Sequence, residues 1–471
     1  MCPDRRRLPA GTAPRAGTGH LRIAFEYGAD GKLVRKTAGE NETMYRYDVQ
    51  TGFLNRASDD DSDAVFGTYN AAGDLEAMAV LSKGDITTAQ PFVRYAYAYD
   101  PLGNRTAMTV KYGQTTLDTD YEYDALNRIV EMHDPWGHGY EFAYDEQGRR
   151  TELYLPYGGY TRYEYTPAGM LKRLTNMIDR RPAGGLNLIS SFTYDYDEVG
   201  KRVGMRISDG TPGGGNMLDY AYDDLDRLIS ADYQAPQMPP GFHNEYYAYD
   251  DVGNRTTEES VHDNLNRLIE NWTHTYNYDH NGNMIERTKK QTSGEETFHY
   301  DPENRLAGYN LNLSTGKMKA KYTYDFNGRR IGKVLNPDGD VTFNSGDEDY
   351  WKYIYDGDDI ILEFKWDPVK QTNSLFSQYV HGPGIDEPLL WRVDVDGDGV
   401  IRGASETFVY HYDGLGSVTE ITNRYGEIVA TYRYDSFGNA LDLNYSPLGD
   451  KNCGELAGIN RFRYTGREWD F

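Results

Sequence analysis

The chain has 471 residues, of which 42 are tyrosine and 50 are glycine, and hydrophobic residues make up only 38% of it. Its net charge of −25 argues against binding to nucleic acid, because no basic stripe accompanies the sequence to contact phosphates. The many aromatic residues argue against disorder. This composition favours wide, half-hydrated β-sheets, since a tyrosine ring buries an apolar face and keeps a polar tip.

Residues 1–20 are basic and rich in Gly, Pro and Ala, and we predict a disordered or non-native tail there. They lack the apolar stretch of a signal peptide, and repeat-like sequence begins soon after them. We therefore expect either export without a leader or, preferably, a chain that is incomplete at its N-terminus. No apolar run reaches the length of a membrane helix, so no membrane span is predicted.

Residues 21–345 repeat a short motif that begins Tyr-x-Tyr-Asp and has a glycine three residues after the aspartate. Residues 97–105 (Tyr-Ala-Tyr-Asp-Pro-Leu-Gly-Asn-Arg) are one copy, and residues 247–255 nearly duplicate it. Alternation places both rings on one face of a strand. The aspartate accepts backbone N–H groups to start a turn, and the glycine supplies a positive φ. We predict one short hairpin per unit.

The predicted turn residues share this Asp-x-x-Gly spacing, and the last pair lies beyond residue 345. They are Asp100 and Gly103, Asp250 and Gly253, Asp279 and Gly282, Asp325 and Gly328, and Asp435 and Gly438. Catalytic carboxylates are the alternative interpretation. One aspartate per repeat with the same turn neighbours indicates structure instead, so we predict no catalytic residue.

A second form of the motif replaces the glycine step with Leu-Asn-Arg or a close variant. It occurs at residues 123–129, 222–228, 262–268 and 300–306. Together the two forms make a loose repeat of the length found in stacked repeat arrays. No segment shows a sustained helical period, so the sequence predicts an all-β fold of repeated hairpins.

Residues 394–401 (Asp-Val-Asp-Gly-Asp-Gly-Val-Ile) have the start of a calcium loop. Asp394, Asp396 and Asp398 would offer oxygens at positions 1, 3 and 5, and Val400 a backbone carbonyl at position 7. Position 12 is Ser405, however, where calcium loops of this kind carry an acid. An acidic, glycine-rich hairpin loop is the simpler interpretation. Calcium is the one candidate cofactor.

Residues 346–471 carry three further motifs. They are His-Gly-Pro-Gly-Ile-Asp-Glu-Pro-Leu at 381–389, Tyr-His-Tyr-Asp-Gly-Leu-Gly-Ser-Val at 410–418, and Arg-Phe-Arg-Tyr-Thr-Gly-Arg-Glu at 461–468. Together with the tyrosine–aspartate (YD) units, they resemble the repeats and repeat-associated core of the RHS family, which is related to teneurins and to toxin-complex shells. The residues that carry this part of the resemblance are Gly384, Asp386, Pro388, Leu415, Gly416, Ser417, Tyr464, Gly466 and Glu468.

The resemblance implies a spiralling, shell-like sheet that encapsulates a C-terminal toxin domain, which would be the partner of this region in a longer product. Residues 346–471 would be the family's core region, truncated before its self-cleavage motif, so no enzyme activity is expected of this chain. A secreted or cell-surface location follows from the same resemblance. Two alternatives remain: an adhesin that binds a surface glycan or protein, and a hydrolase, for which no motif is present.

Overall fold

The computed structural model describes residues 22–60, 62–82, 93–179, 185–208, 216–234, 244–291, 294–313, 316–336, 348–367, 372–440 and 459–467. The predicted tail at residues 1–20 lies outside this part of the chain. The strands form two sheets of nineteen and fifteen strands. In both sheets each strand pairs antiparallel with its neighbours in sequence, as the strands Val93–Tyr99, Arg105–Tyr112 and Thr115–Tyr123 do.

The first sheet contains β1 (Ile23–Tyr27), β2 (Leu33–Ala38), β3 (Asn41–Tyr47), β4 (Leu54–Ser58), β5 (Ser62–Tyr69), β6 (Leu75–Ser82), β7 (Val93–Tyr99), β8 (Arg105–Tyr112), β9 (Thr115–Tyr123), β10 (Ile129–His133), β11 (Gly139–Tyr144), β12 (Arg150–Tyr154), β13 (Gly159–Tyr165), β14 (Leu171–Asp179), β15 (Leu186–Tyr196), β16 (Arg202–Ser208), β17 (Asn216–Tyr222), β18 (Leu228–Tyr233) and β19 (Glu245–Tyr246).

The second sheet contains β20 (Val261–His262), β21 (Leu268–Glu270), β22 (His274–Tyr278), β23 (Met284–Lys289), β24 (Glu295–Tyr300), β25 (Leu306–Leu313), β26 (Gly316–Tyr324), β27 (Arg330–Asn336), β28 (Asp349–Asp356), β29 (Asp359–Asp367), β30 (Thr372–His381), β31 (Pro388–Val393), β32 (Thr407–Tyr412), β33 (Val418–Asn423) and β34 (Ile428–Thr431). Short 3₁₀ turns occur at Pro156–Gly158, Thr257–Glu259, Gly403–Glu406 and Tyr464–Gly466.

The YD units with a left-handed residue three places after the aspartate close as three-residue hairpin loops with a bulge. In the unit at 97–105, the Gly103 N–H donates to the Asp100 carbonyl at 3.1 Å, and the Asp100 N–H donates to the Asn104 carbonyl at 2.9 Å. The Asp100 carboxylate also accepts the N–H groups of Leu102 and Asn104, both at 2.9 Å. The strand register shifts beside Tyr99. Such a shift is expected where a three-residue loop ends in a glycine bulge.

The residue three places after the aspartate always takes the left-handed conformation in these turns. The φ values are +85° at Gly103, +93° at Gly253, +91° at Gly282, +85° at Gly328 and +87° at Gly438. In the second form of the motif the same place is taken by Asn127, Asp226, Asn266 and Asn304, with φ between +60° and +62°. Asn and Asp tolerate this conformation better than other side chains do, so both forms make one turn.

We expect Gly253→Val to lower the free energy of unfolding by about 1–3 kcal/mol, because a β-branched residue is strained at positive φ. The measurement is a urea unfolding midpoint. Val252→Ala is the matched control at the neighbouring exposed position, and its expected effect is within about 0.5 kcal/mol. Equal effects of the two substitutions would contradict the turn assignment.

Successive units are joined by the second tyrosine of the motif. Its hydroxyl donates to a backbone carbonyl of the preceding hairpin, at the first residue of the strand that follows the turn. The Tyr144 hydroxyl, for example, donates to the Ile129 carbonyl at 2.8 Å. The arginine of the preceding turn stacks on the same ring: the Arg128 guanidinium lies 4.5 Å from the Tyr144 ring centre and also donates to its own Asp124 at 2.7 Å. The same hydroxyl-to-carbonyl bond is made by Tyr69, Tyr99, Tyr123, Tyr165, Tyr196, Tyr222, Tyr249, Tyr278, Tyr324, Tyr355 and Tyr434.

The second sheet packs on the first in the same chain order. From the start of the chain onward, the cross-sheet contacts are Lys36 with Glu303 at 2.6 Å, Tyr95 with the Tyr355 carbonyl at 2.8 Å, Asn176 with the Tyr412 carbonyl at 2.8 Å, and Glu245 with the Ser436 N–H at 3.0 Å. Apolar side chains of both sheets share clusters, such as Met132 and Leu153 with Leu389 and Val409. The predicted all-β fold is confirmed, with the array divided into two sheets.

The break between the sheets lies between Tyr246 and Val261, and it does not coincide with the predicted division at residues 345 and 346. Around that division the second sheet continues, because β27 pairs with β28 through Gly332 and Lys352. At the break itself, the hairpin turns stay in contact. The Asn254 amide donates to the Asn266 side chain at 3.1 Å, so the row of turns is continuous from one sheet to the other.

Candidate functional site

The three motif segments near the C-terminal end meet in space, and we call them the signature cluster (residues 381–389, 410–418 and 461–467). The Val418 N–H donates to the Arg463 carbonyl at 2.9 Å, and the Thr465 N–H donates to the Ser417 hydroxyl at 3.1 Å. The Arg467 guanidinium donates to the Asp386 carboxylate at 3.2 Å. Segments that are far apart in sequence therefore form one site, which the sequence motifs alone did not show.

Close approach of another segment's backbone explains Gly466, and contact with a side chain explains Gly384. A Cβ atom on Gly466, which has φ +68°, would lie 1.9 Å from the carbonyl oxygen of Asp386. Gly384 donates its N–H to the Glu387 carboxylate at 2.9 Å, and a Cβ there would lie 2.6 Å from the same carboxylate. A larger residue at Gly466 would therefore separate two of the segments, whereas one at Gly384 would displace the Glu387 side chain.

The other predicted signature residues have mostly structural positions. Pro388 begins β31 and accepts the Tyr412 hydroxyl on its carbonyl, and Ser417 is fully buried. Gly416 has φ +78° with open space around it, whereas Leu415 is 51% exposed at its turn. Tyr464 packs edge-to-face on Tyr434. Glu468 lies outside the described residues.

The last described segment is inserted into the core, which the sequence did not predict. Asn460, Arg461, Phe462 and Arg463 are each at most 5% exposed. Asn460 accepts the Tyr410 hydroxyl at 2.8 Å, and Phe462 packs edge-to-face on Tyr379 at 5.0 Å. Two arginines in four buried residues require buried partners.

The buried partner of Arg461 is Glu363, on β29. The two form an ion pair, and Glu363 is 1% exposed. The Tyr379 hydroxyl donates to the same carboxylate at 2.9 Å. Glu363 belongs to no sequence motif and lies within an ordinary strand. The sequence pattern therefore did not indicate that it forms a buried ion pair.

The signature cluster also binds the first sheet. Arg150 forms a two-pronged ion pair with Glu387, and the Tyr194 hydroxyl accepts the Gly414 N–H at 2.6 Å. Beside these contacts is a cavity of about 390 Å³ between the sheets, lined by tyrosines, Arg202 and Asp413. Burial raises the pKa of Asp413, whose carboxylate accepts two turn N–H groups. Asp413 therefore has the turn role predicted for the repeated aspartates.

The predicted calcium loop presents its three carboxylates together. Oxygens of Asp394, Asp396 and Asp398 lie within 4.8 Å of one another. Asp394 is buried and accepts the N–H groups of Gly397 at 2.9 Å and Gly399 at 2.7 Å. Arg402 pairs with Asp396 at 3.1 Å and also with Asp398. The three carboxylates are thus already bonded to backbone N–H groups and to Arg402 within the loop. A cation would have to displace Arg402 from Asp396 and Asp398.

Val400 is 55% exposed and donates its N–H to Asp398 at 2.9 Å. Glu406, one place beyond the calcium-loop spacing, folds back to accept the Val395 N–H at 3.1 Å. Calcium binding stays a prediction: added calcium should raise the melting temperature by mass action, and Asp396→Ala should abolish that rise. Identical melting curves with calcium and with chelator would exclude the site.

Acid should destabilise the fold through its turn aspartates. Hydrogen bonds from the Arg267 side chain and from turn N–H groups lower the pKa of Asp263 to about 2, from 3.8. The pKa is likewise lowered at Asp48, Asp100, Asp124, Asp145, Asp223, Asp250 and Asp279.

Because these folded-state pKa values lie below the unfolded value, the stability they give is present above about pH 4 and is lost as the pH falls towards about 2. We expect the urea midpoint to fall across that range, and Asp263→Asn to reduce the fall. A midpoint that stays constant from about pH 5 to about pH 2.5 would contradict this.

Two family models match the chain. Residues 183–343 match the Teneurin YD-shell model, and residues 123–160 match the RHS Repeat model. Among curated relatives, tRNA3(Ser)-specific nuclease WapA of Bacillus spizizenii is 28% identical over 48% of this chain and 8% of its own length. Double-stranded DNA deaminase toxin A of Burkholderia cenocepacia is 21% identical over 93% of this chain and 26% of its own length. The chain thus spans a small part of each relative.

Solved structures show the same fold. The Photorhabdus luminescens Tc holotoxin pore has a TM-score of 0.62 with 14% identity, over 95% of this chain and 24% of that one. The TcdB2-TccC3-Cdc42 crystal structure has a TM-score of 0.51 with 12% identity, over 96% of this chain and 26% of that one. The family-model matches at residues 123–160 and 183–343 confirm the resemblance to the RHS and YD-repeat family, and the solved structures confirm the fold.

Proposed function

We propose that this YD-repeat protein of the RHS and teneurin type is shell material of a polymorphic toxin, which encloses and delivers a toxin domain. The observation that carries the proposal is the fold itself: one meander of hairpins returns over its own first sheet, and the signature cluster fastens the two layers. A sheet with so many strands must cover its edges and faces to avoid aggregation, and a shell does so.

The relatives support a toxin as cargo. One is a tRNA-specific nuclease and one is a DNA deaminase toxin, and in both cases this chain aligns with only part of the protein. The net charge of −25 would favour retention of a basic cargo by electrostatic attraction. In this proposal the described sheets are scaffold and not catalyst, and the product acts outside the producing cell or at its surface.

No helix in the described ranges is long and apolar enough to cross a membrane. The partner of this region in the proposal is the toxin domain of its own complete product. A glycan or another protein on a cell surface is the alternative partner.

The test is protease digestion of the complete natural gene product, with a C-terminal epitope tag. An enclosed toxin domain should resist digestion in buffer and become sensitive only at the denaturant concentration that unfolds the shell. The same tagged C-terminal domain, expressed alone, is the control and should be digested at once. If the complete reading frame adds no domain, or if the added domain is digested as fast as the isolated one, delivery fails and the surface-binding alternative replaces it.

A further inference from the structure

Four consecutive hairpin turns place an aliphatic side chain at the tip of the turn, exposed to solvent. These residues are Val199, Leu225, Val252 and Leu265, and each is between 69% and 79% exposed. We call them the aliphatic row. Single exposed aliphatic residues are ordinary, but four at the same turn position in four successive units form a line.

Neighbouring turns do not continue this line. The same turn position is Ala168 in the unit before it and Asn281, Glu303 and Asn327 in the units after it. The turn geometry is the same with Asn281 and Asn327 as with Val252, since each of those turns has a glycine at positive φ. The hairpin therefore does not require an aliphatic tip. Leu102, Leu126 and Leu415 hold the same exposed position in other turns, but only here do four such tips follow one another among the described residues.

The four turns are fixed to one another. The Lys201 amine donates to Asp226 at 2.6 Å, the Arg227 guanidinium donates to the Asp250 carbonyl at 3.1 Å, and Asn254 donates to Asn266 at 3.1 Å. These contacts join each turn to the next, including the pair that spans the break between the sheets. The tips of the aliphatic row are thus held next to one another by contacts between successive turns.

The row is flanked by carboxylates that the turns do not use. The turn aspartates of these units accept their own backbone N–H groups, but Glu198, Asp224 and Asp251 are exposed beside the row. Within residues 197–201, 223–227, 250–254 and 263–267 there are eight acidic and three basic residues. The partner that fits this row would offer apolar groups in line and positive charge beside them.

The spacing selects the shape of that partner. Within the first sheet each turn follows after two strands, and strands are about 4.8 Å apart, so the tips at Val199, Leu225 and Val252 follow one another at about 9.6 Å. The contact of Asn254 with Asn266 continues the row to Leu265 across the break between the sheets. Residues i and i+7 of an α-helix lie about 10.5 Å apart. A helix with an aliphatic residue at every seventh position could therefore place one side chain against each tip.

We propose that the aliphatic row is a docking surface for a basic amphipathic helix of another protein, with aliphatic residues at heptad spacing and Lys or Arg on the flanks. Apolar contact at the tips supplies affinity, and the carboxylates orient the helix and exclude acidic partners.

The test uses a fluorescent 25-residue peptide with Leu at every seventh position and Lys on the flanking positions. Its scrambled form keeps the composition but removes the heptad spacing. Binding is measured by fluorescence anisotropy at physiological salt. We expect the heptad peptide to bind at least tenfold more tightly than the scrambled one.

Leu225→Asp and Val252→Asp separate apolar contact from charge. Both add a carboxylate, so binding by charge alone would become tighter, whereas we expect it to become at least tenfold weaker. Leu126→Asp is the matched control: Leu126 is 69% exposed at the same position of the same turn form, outside the row, and its change should leave binding unaltered. Melting temperatures of all three variants are compared to ensure that each is folded.

Three results would overturn the proposal. One is equal binding of the heptad and scrambled peptides. Another is unchanged or tighter peptide binding by the folded Leu225→Asp and Val252→Asp variants. The third is binding to zwitterionic lipid vesicles that Leu225→Asp removes, with no binding of either peptide, which would assign the row to a membrane surface.

Discussion

Replacing Gly466 by alanine is expected to release the segment 459–467 from the core. The new Cβ would lie 1.9 Å from the Asp386 carbonyl oxygen, which is backbone and cannot rotate away, and Gly466 has φ +68°. The left-handed conformation costs about 1–2 kcal/mol for a residue with a side chain, and overpacking adds about 1–3 kcal/mol. The expected total is therefore about 2–5 kcal/mol, which is enough to detach a segment that packs mainly through its own few residues.

The measurement is hydrogen exchange of the Val418 N–H, which donates to the Arg463 carbonyl and so joins the segment to β33, together with the unfolding free energy. Gly416→Ala is the matched control. Gly416 lies in the same cluster at φ +78°, but a Cβ atom added there would meet nothing within 4 Å, so it reports the backbone cost without the clash. Equal losses of protection in the two variants would mean that close approach at Gly466 is not what holds the segment.

The hairpin array could be predicted from the sequence because its information is local. Asp100 and Gly103 determine a turn within a few residues. The alternation of Tyr97 and Tyr99 determines which face of the strand carries the rings, so the sequence of each unit is sufficient to predict its hairpin. The exchange of Gly for Asn127 or Asp226 also stays within one turn, since both residue types accept positive φ.

The contacts between units and between sheets could not be predicted in the same way. The hydroxyl bond from Tyr144 to Ile129 depends on how two successive hairpins pair, and the contact of Gly414 with Tyr194 joins residues 220 positions apart. The resemblance to a known family named the signature residues, but it did not show that Gly466 and Asp386 touch. For the calcium motif, the sequence spacing predicted a cation site but did not predict the groups that contact its carboxylates. In the structure, Arg402 and backbone N–H groups already donate to them.

Removing the charge of Glu363 is the second change for which we expect a large effect. Glu363 and Arg461 are 1% and 5% exposed, and the Arg461 guanidinium also lies 4.7 Å from the Tyr353 ring centre. Glu363→Gln keeps the shape and an acceptor for the Tyr379 hydroxyl but removes the negative charge that Glu363 places beside a buried arginine. Breaking a buried ion pair from one side costs about 3–5 kcal/mol. Urea unfolding measures it.

Glu270→Gln is the surface control for that experiment. Glu270 pairs with Lys290 at 2.6 Å, but the two side chains are 48% and 32% exposed, so the expected loss is below about 1 kcal/mol. A similar loss in both variants would contradict a special role for the buried pair.

A combined variant decides whether charge or packing holds the C-terminal segment in place. Glu363→Leu with Arg461→Met and Tyr379→Phe removes the buried ion pair and the hydroxyl that depends on it, and it replaces them with apolar groups of similar size. Since well-packed apolar replacements of buried ion pairs are often neutral or stabilising, we expect this variant to regain most of the stability that Glu363→Gln loses. If it remains as unstable as Glu363→Gln, the ion pair itself supplies the attachment, and apolar contacts such as that of Phe462 with Tyr379 are insufficient without it.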